Sequence, residues 1–242
     1  MISVDLDGTL MHNPYWFLHL RPWLLLQAQL RHKAWPELWQ TMSQESERRL
    51  RHGDRPGAYD WQDIAAKTLH RSLPSPLSPR RQDLLPLVYP DVWRFLMWAV
   101  RYPLTLHIVT NGLINNQWPY LQALGWDKIF TSSIGAESGF TKPDPRIFQL
   151  ISGLSVHVGD RLAHDVLGAK RASIRAVHLK RSGHQEDRKG WDALSPLKCQ
   201  ADLTVHSLED LPQLLTPMLQ TIHQERQDDY EGYPYRRQTL RP

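Results

Sequence analysis

The sequence predicts an α/β protein built on a parallel sheet with helices on both faces. Three observations carry this. Six short β-branched or apolar runs end in polar or small residues. Helix-period segments fall between most of them. One long stretch near the N-terminus has helical spacing and no convincing strand, so it reads as an insert into an otherwise alternating chain.

The strand runs are Ile2–Asp5, Leu104–Thr110, Lys128–Ser133, Val156–Asp160, Arg175–Leu179 and Asp202–His206. Between them, Asp91–Val100 places Val92, Phe95, Leu96 and Ala99 three and four residues apart, which is the spacing of one helix face. Asn115–Leu124, Pro145–Ile151 and Leu162–Ala172 read the same way. Asp144-Pro145 is a helix-start signal, with aspartate as the cap and proline in the first turn. Residues 15–86 contain helical patterns at Leu18–Leu30, Ala34–Arg51 and Tyr59–Leu69, broken by Gly53, Pro56 and Gly57. A proline-rich stretch, Leu73–Pro86, leads back to the alternating part. The expected organisation is a core from residues 1–14 and 87–220, a helical insert at 15–86 and a disordered, polar tail at 221–242. Five of the ten tryptophans, Trp16, Trp23, Trp35, Trp39 and Trp61, fall in the insert and are expected to build its core.

Composition narrows the class. The chain has 242 residues, 41% hydrophobic and 22% charged, the proportions of a globular domain. Its formal charge is +4, and the excess sits in residues 15–86, which hold eleven Lys/Arg against seven Asp/Glu. Such an excess reads first as a solvated, arginine-rich surface, with attraction of anionic small molecules as the alternative; no nucleic-acid-binding motif accompanies it. The most apolar stretch, Trp16 to Leu30, is interrupted by His19, Arg21 and Pro22 and is too short to span a bilayer, so no membrane association is expected. A single cysteine, Cys199, excludes an internal disulfide and fits a reducing, cytoplasmic compartment. Strand pattern begins at Ile2, so no signal peptide is expected ahead of it.

Four motifs carry chemistry, each at the end of a strand or the start of a helix. The run Ile2-Ser3-Val4-Asp5-Leu6-Asp7-Gly8-Thr9 sets two carboxylates two residues apart at the carboxyl end of a strand, where open α/β sheets bind ligands. One acid there can attack an electrophile while the other moves protons. Val109-Thr110-Asn111-Gly112 ends a second strand with a hydroxyl, an amide and backbone N–H groups suited to phosphate oxygens. Gly139-Phe140-Thr141-Lys142-Pro143-Asp144-Pro145 presents a lysine just before a helix, biased to an extended backbone by the proline after it. That lysine can neutralise a phosphoryl group or a carboxylate. Val156-His157-Val158-Gly159-Asp160, with Asp165 five residues on, adds two more carboxylates. Near Asp5 and Asp7 these would repel strongly without a cation, and oxygen ligands of this kind suit Mg²⁺. For Asp165, a role at the helix start through the dipole is an alternative to metal contact.

In this order the four motifs resemble those of the haloacid dehalogenase superfamily, over residues 1–12 and about 87–180. The resemblance implies a Rossmann-like core. The helical insert after the first motif is similar to the cap of the phosphoglycolate phosphatase-like subgroup. Ser173 stands where many relatives carry glycine, and Arg161 where a small residue is commoner.

Carried over residue by residue, the resemblance implies a phosphatase with Asp5 as nucleophile and Asp7 as acid and base. Mg²⁺ would be held by Asp5, the carbonyl of Asp7, Asp160 and, through water, Asp165. Thr110, Asn111 and Lys142 would bind the phosphoryl group, and Lys142 would also offset developing charge. The implied partner is a small phosphorylated metabolite. Asp7 argues against carbon–halogen cleavage, whose enzymes usually lack it. A sugar-phosphate mutase and a non-catalytic binding protein of the same fold are the alternatives. Substrate and oligomeric state are not legible in the chain.

Overall fold

The central strands of this chain are apolar on both sides of the pleat, so the sheet they form must be covered on both faces. The computed structural model, which describes residues 1–102, 104–182, 199–217 and 219, has this arrangement. Six parallel strands, β1 (Ile2–Val4), β2 (Leu106–Val109), β3 (Phe130–Ile134), β4 (Val156–Gly159), β5 (Arg175–Leu179) and β6 (Leu203–Val205), run in the spatial order β3-β2-β1-β4-β5-β6. Every residue of β1, β2 and β4 is buried, whereas the edge strands β3 and β6 are partly exposed. All six expected strands are present: β5 spans its expected run, β3 starts two residues later and ends one later, and the other four lose one to three residues where the run reached into a loop.

The order reverses at β1, which lies between β2 and β4 with Ile2 beside both Leu106 and Val156. In an open parallel sheet this reversal leaves a crevice at the carboxyl ends of the strands. Asp5, Thr110 and Asp160 directly follow the three strands that meet there.

Helices fill the connections: α1 (Arg21–Leu30), α2 (Trp35–Arg51), α3 (Trp61–Leu69), α4 (Arg81–Leu84), α5 (Val92–Arg101), α6 (Ile114–Leu124), α7 (Arg146–Gln149) and α8 (Leu167–Arg171). Two expected helices are shorter than their apolar spacing implied. α7 keeps only four residues, and the stretch Leu162–Val166 ahead of α8 is a wide π-type turn. The Asp144-Pro145 start signal falls one residue early: Pro145 is itself the cap of α7, and Asp144, one residue ahead of it, accepts the Arg146 N–H through Oδ1 at 3.0 Å.

Residues 15–86 contain helices and irregular segments only. Their interior is aliphatic, with Leu24, Leu38, Met42, Ile64 and Ala65 buried. The tryptophans do not fill it as the sequence reading expected. Trp23 is buried, but Trp16, Trp35, Trp39 and Trp61 are half-buried and pack on one another at the margin, with centroids 4.6 Å apart for Trp16–Trp39 and 4.9 Å for Trp39–Trp61. These four indoles pack together and cover the aliphatic core from the side. The expected tail at 221–242 lies outside the described residues. No helix among the described residues is long and apolar enough to cross a membrane.

One polar knot anchors the loop after β1. Arg181, just past β5, donates to both carboxylate oxygens of Asp91 at 2.9 and 3.0 Å and to the carbonyl of Thr9 at 2.7 Å. Asp91 also accepts from Leu208 N at 2.8 Å and Ser207 Oγ at 3.1 Å. Asp91→Ala strands the Arg181 charge in a nearly closed site and should cost about 3 kcal/mol or more in urea denaturation; a loss below 1 kcal/mol would refute the knot. Ser173 has φ 59°, a left-handed conformation that costs an L-residue about 1–2 kcal/mol. Ser173→Gly should therefore leave thermal stability unchanged or raise it, and a clear loss would contradict this.

Candidate active site

Residues that end buried parallel strands project into the crevice, and their charges meet there at short range. Asp5 follows β1, and its Oδ1 accepts from Lys142 Nζ at 2.5 Å. The same ammonium donates to Asp165 Oδ1 at 2.6 Å. Lys142 is almost fully buried, so it is no ordinary surface lysine. Its backbone is held on both sides by the side chain of Asn111: Lys142 N donates to Asn111 Oδ1 at 2.7 Å, and Asn111 Nδ2 donates to Lys142 O at 3.0 Å. Asn111 Nδ2 also donates to the Tyr59 hydroxyl at 3.0 Å. Both amide protons are thus committed, and in this arrangement the Asn111 side chain orients the lysine.

Asp160, after β4, closes the group. One carboxylate oxygen from each of Asp5, Asp160 and Asp165 lies within 4.8 Å of the others. Asp160 Oδ1 also accepts from Thr9 Oγ1 at 3.4 Å. Gly8 permits this approach. Its φ is +92°, and a Cβ there would lie 2.4 Å from Asp160 Oδ2, so no other residue fits without displacement. Asp165 lies in the wide turn before α8. Besides Lys142, it accepts from His157 Nε2 at 3.0 Å and from Arg161 N at 2.9 Å. It therefore combines contact with the charged cluster and a hydrogen bond at the helix start.

Asp7 stands apart from the lysine. Its Oδ2 accepts from Gln117 Nε2 at 3.0 Å, and its Oδ1 is buried with no partner among the described residues. Thr110 Oγ1 accepts from Gly112 N at 3.2 Å and from Gln117 Nε2 at 3.4 Å.

The electrostatics follow from burial. Burial pushes the Asp5 carboxyl up to about 7; Lys142 opposes the shift, while Asp165 and Asp160 add to it. Burial likewise raises Asp160 to about 7, helped by Asp165. Asp7 reaches about 7 through burial and the Asp5 charge. For Asp165, burial is outweighed by Lys142 and His157, which hold its carboxyl well below the ordinary range. Lys142 is raised despite burial, because Asp165 and Asp5 stabilise its charge. Four acids thus share a buried site with Lys142 and the nearby Arg161, and negative charge remains in excess. An unmatched buried carboxylate costs several kcal/mol. Clustered hard oxygens with surplus negative charge fit a divalent cation bound through carboxylates.

Four contributors escaped the sequence reading. Gln117 is a buried polar residue on the stripe of α6 otherwise formed by Tyr120, Leu121 and Leu124, and that break in an apolar face is a signal in the chain. His157, within β4, accepts from Ser3 Oγ at 2.8 Å and donates to Asp165. A polar pair inside two apolar strands was visible, but its partnership was not. Tyr59 reaches the site from residues 15–86, and Arg55 beside it lies 3.4 Å from Asp144. No local pattern marks either one.

A raised carboxyl pKa means that the native state keeps a proton the unfolded chain has released. The Asp160 contribution is therefore fully favourable below about 4 and is lost as pH rises through about 7. In protein kept with a chelator, Asp160→Asn should raise the urea midpoint more at about pH 8 than at about pH 5. An equal gain at both pH values would contradict the buried-charge account.

Comparisons with known proteins agree with this geometry. The family model for haloacid dehalogenase-like hydrolases matches residues 1–173. A glyceraldehyde 3-phosphate phosphatase of Methanopyrus kandleri is 38% identical over 106 residues, which cover 40% of this chain and 46% of that protein. A phosphoserine phosphatase of Thermus thermophilus is 36% identical over 108 residues, covering 41% of this chain and 43% of that protein. The matches thus span somewhat less than half the length of these relatives. The crystal structure of a HAD phosphatase from Thermococcus onnurineus superposes with a TM-score of 0.61 at 25% identity, covering 88% of this chain and 96% of that one. With the motifs in order on a sheet of the same kind, this chain belongs to the haloacid dehalogenase-like hydrolases.

Proposed function

We propose that this protein hydrolyses a small phosphomonoester through a phosphorylated Asp5. The observation that carries the reading is the unlike treatment of two neighbouring acids. Asp5 is bonded to an ammonium, whereas Asp7 is bonded to a neutral amide and keeps one oxygen unpartnered. Paired carboxylates in unlike surroundings divide into nucleophile and proton carrier.

In the first step an Asp5 oxygen attacks phosphorus and the ester P–O bond breaks. The departing alkoxide takes the proton of Asp7. In the second step Asp7, now a carboxylate, removes a proton from water, and the oxygen of that water attacks phosphorus. The P–O bond to Asp5 then breaks, releasing phosphate and restoring both acids. Thr110 donates to a phosphoryl oxygen, and Lys142 offsets the charge that grows on the group. Asn111 serves the same group by fixing the lysine. The carboxylates of Asp5 and Asp160, the carbonyl of Asp7 and Asp165 through water would hold Mg²⁺. When bound, the ion screens the repulsion between anionic nucleophile and anionic phosphate. Residues 15–86 act as a cap whose Tyr59 and Arg55 face the leaving group. The relatives named as phosphatases of glyceraldehyde 3-phosphate and phosphoserine support a substrate of similar size and charge.

The purified protein should release p-nitrophenol from p-nitrophenyl phosphate with Mg²⁺ and lose that activity in excess chelator. Asp5→Asn should lower kcat by at least about 10³-fold while leaving the circular dichroism spectrum unchanged. Wild-type turnover by Asp5→Asn would sink the nucleophile assignment. No turnover of this ester, acetyl phosphate or any member of a phosphorylated-metabolite panel would sink the phosphatase reading.

A further inference from the structure

We infer that Gln117 is a positioning residue that decides which oxygen of Asp7 carries the transferable proton and which way the Thr110 hydroxyl donates. The inference rests on the phosphatase reading above and concerns a residue outside its four motifs.

Gln117 is buried on α6, and its amide nitrogen has two protons to place. One meets Asp7 Oδ2 at 3.0 Å and the other Thr110 Oγ1 at 3.4 Å. The packing leaves this amide little freedom. A Cβ on Gly112 would lie 2.5 Å from Gln117 Nε2, so the backbone at Gly112 closes over it.

Each contact has a chemical consequence. An oxygen that accepts a hydrogen bond is a poor place for a proton, so protonated Asp7 carries its hydrogen on Oδ1. That atom is buried and has no partner among the described residues. When the proton leaves for the alkoxide, the charge that appears on Asp7 already has a donor in place at Oδ2. Thr110 Oγ1 takes hydrogen bonds from both Gly112 N and Gln117 Nε2. With its two lone pairs engaged, the hydroxyl can act outward only as a donor, which is what a phosphoryl oxygen requires. One neutral amide therefore sets the acid and a phosphate ligand together. A cation there would instead pair with Asp7 and favour loss of its proton.

The two contacts have separable effects. The Thr110 contact acts on the phosphoryl group, which every ester shares. The Asp7 contact matters only when the leaving oxygen needs a proton. An alkoxide needs one; p-nitrophenolate does not.

The test measures kcat/KM for p-nitrophenyl phosphate and for the best alkyl ester among glycerol 2-phosphate, phosphoserine and phosphoglycolate. Wild type is compared with Gln117→Met, which keeps the length and removes the donor, and with Gln117→Leu, which removes the donor and adds no ionisable group. The ratio of alkyl to aryl kcat/KM should fall fivefold or more in each folded variant, a share of the 10²–10⁴-fold that a positioned general acid supplies. A merely structural loss lowers both esters together and leaves the ratio alone. If wild type cleaves both esters and the ratio falls less than fivefold in the variants that fold, the inference is wrong and the phosphatase reading stands. If wild type cleaves neither kind of ester, the reading fails and takes the inference with it.

Discussion

A single buried ammonium, Lys142, holds the site together. It lies 2.5 Å from Asp5 and 2.6 Å from Asp165, and these two acids come from segments 160 residues apart in the chain. A lysine can be buried in this way only where its charge is met at once, because an unpaired ammonium in a dry interior either loses its proton or unfolds the region around it. The pairing also joins three strands. Asp5 follows β1, Asp165 comes after β4, and Asn111, at the end of β2, grips the lysine backbone through both ends of its amide.

Around that ammonium the charges do not balance. Burial and mutual repulsion raise Asp5, Asp7 and Asp160 to about 7, while Lys142 and His157 keep Asp165 ionised. The fold accepts this because its reversal point is the one place where three strand ends meet and a ligand can enter. The surplus charge is what a cation and a phosphoryl group would complete. Neutral partners surround the charged ones: Ser3 and His157 beneath Asp165, Gln117 beside Asp7, and Thr9 against Asp160. They fix direction without adding charge to a site already crowded with it.

Much of this was legible in the chain, and the reasons are local. Strand ends announce themselves when a β-branched run stops at Asp, Thr-Asn or Gly-Asp, so Asp5, Asp7, Thr110, Asn111 and Asp160 stood out at once. Lys142 stood out through its proline and the helix start after it. Gln117 left a weaker trace, a polar residue on an apolar helix stripe. Tyr59, Arg55 and Arg181 left none, since each acts across more than 50 residues on a partner that no spacing rule connects to it. The tryptophans misled for a physical reason. Aromatic content marks a region that packs, but not how deeply each ring goes: aliphatics took the interior and four of the five indoles pack against it from the margin.

The sequence by itself determined the alternation of strands and helices, the helical insert and the acids at the strand ends. These depend on patterns within ten residues or so, where backbone geometry and side-chain period act directly. Only the tertiary structure decided which acid receives the lysine and which receives a neutral amide, and that Asn111 turns towards Lys142. Hydrogen-bond direction and charge pairing belong to side chains brought together from β1, β2, α6 and β4, and their order along the chain carries no record of that meeting.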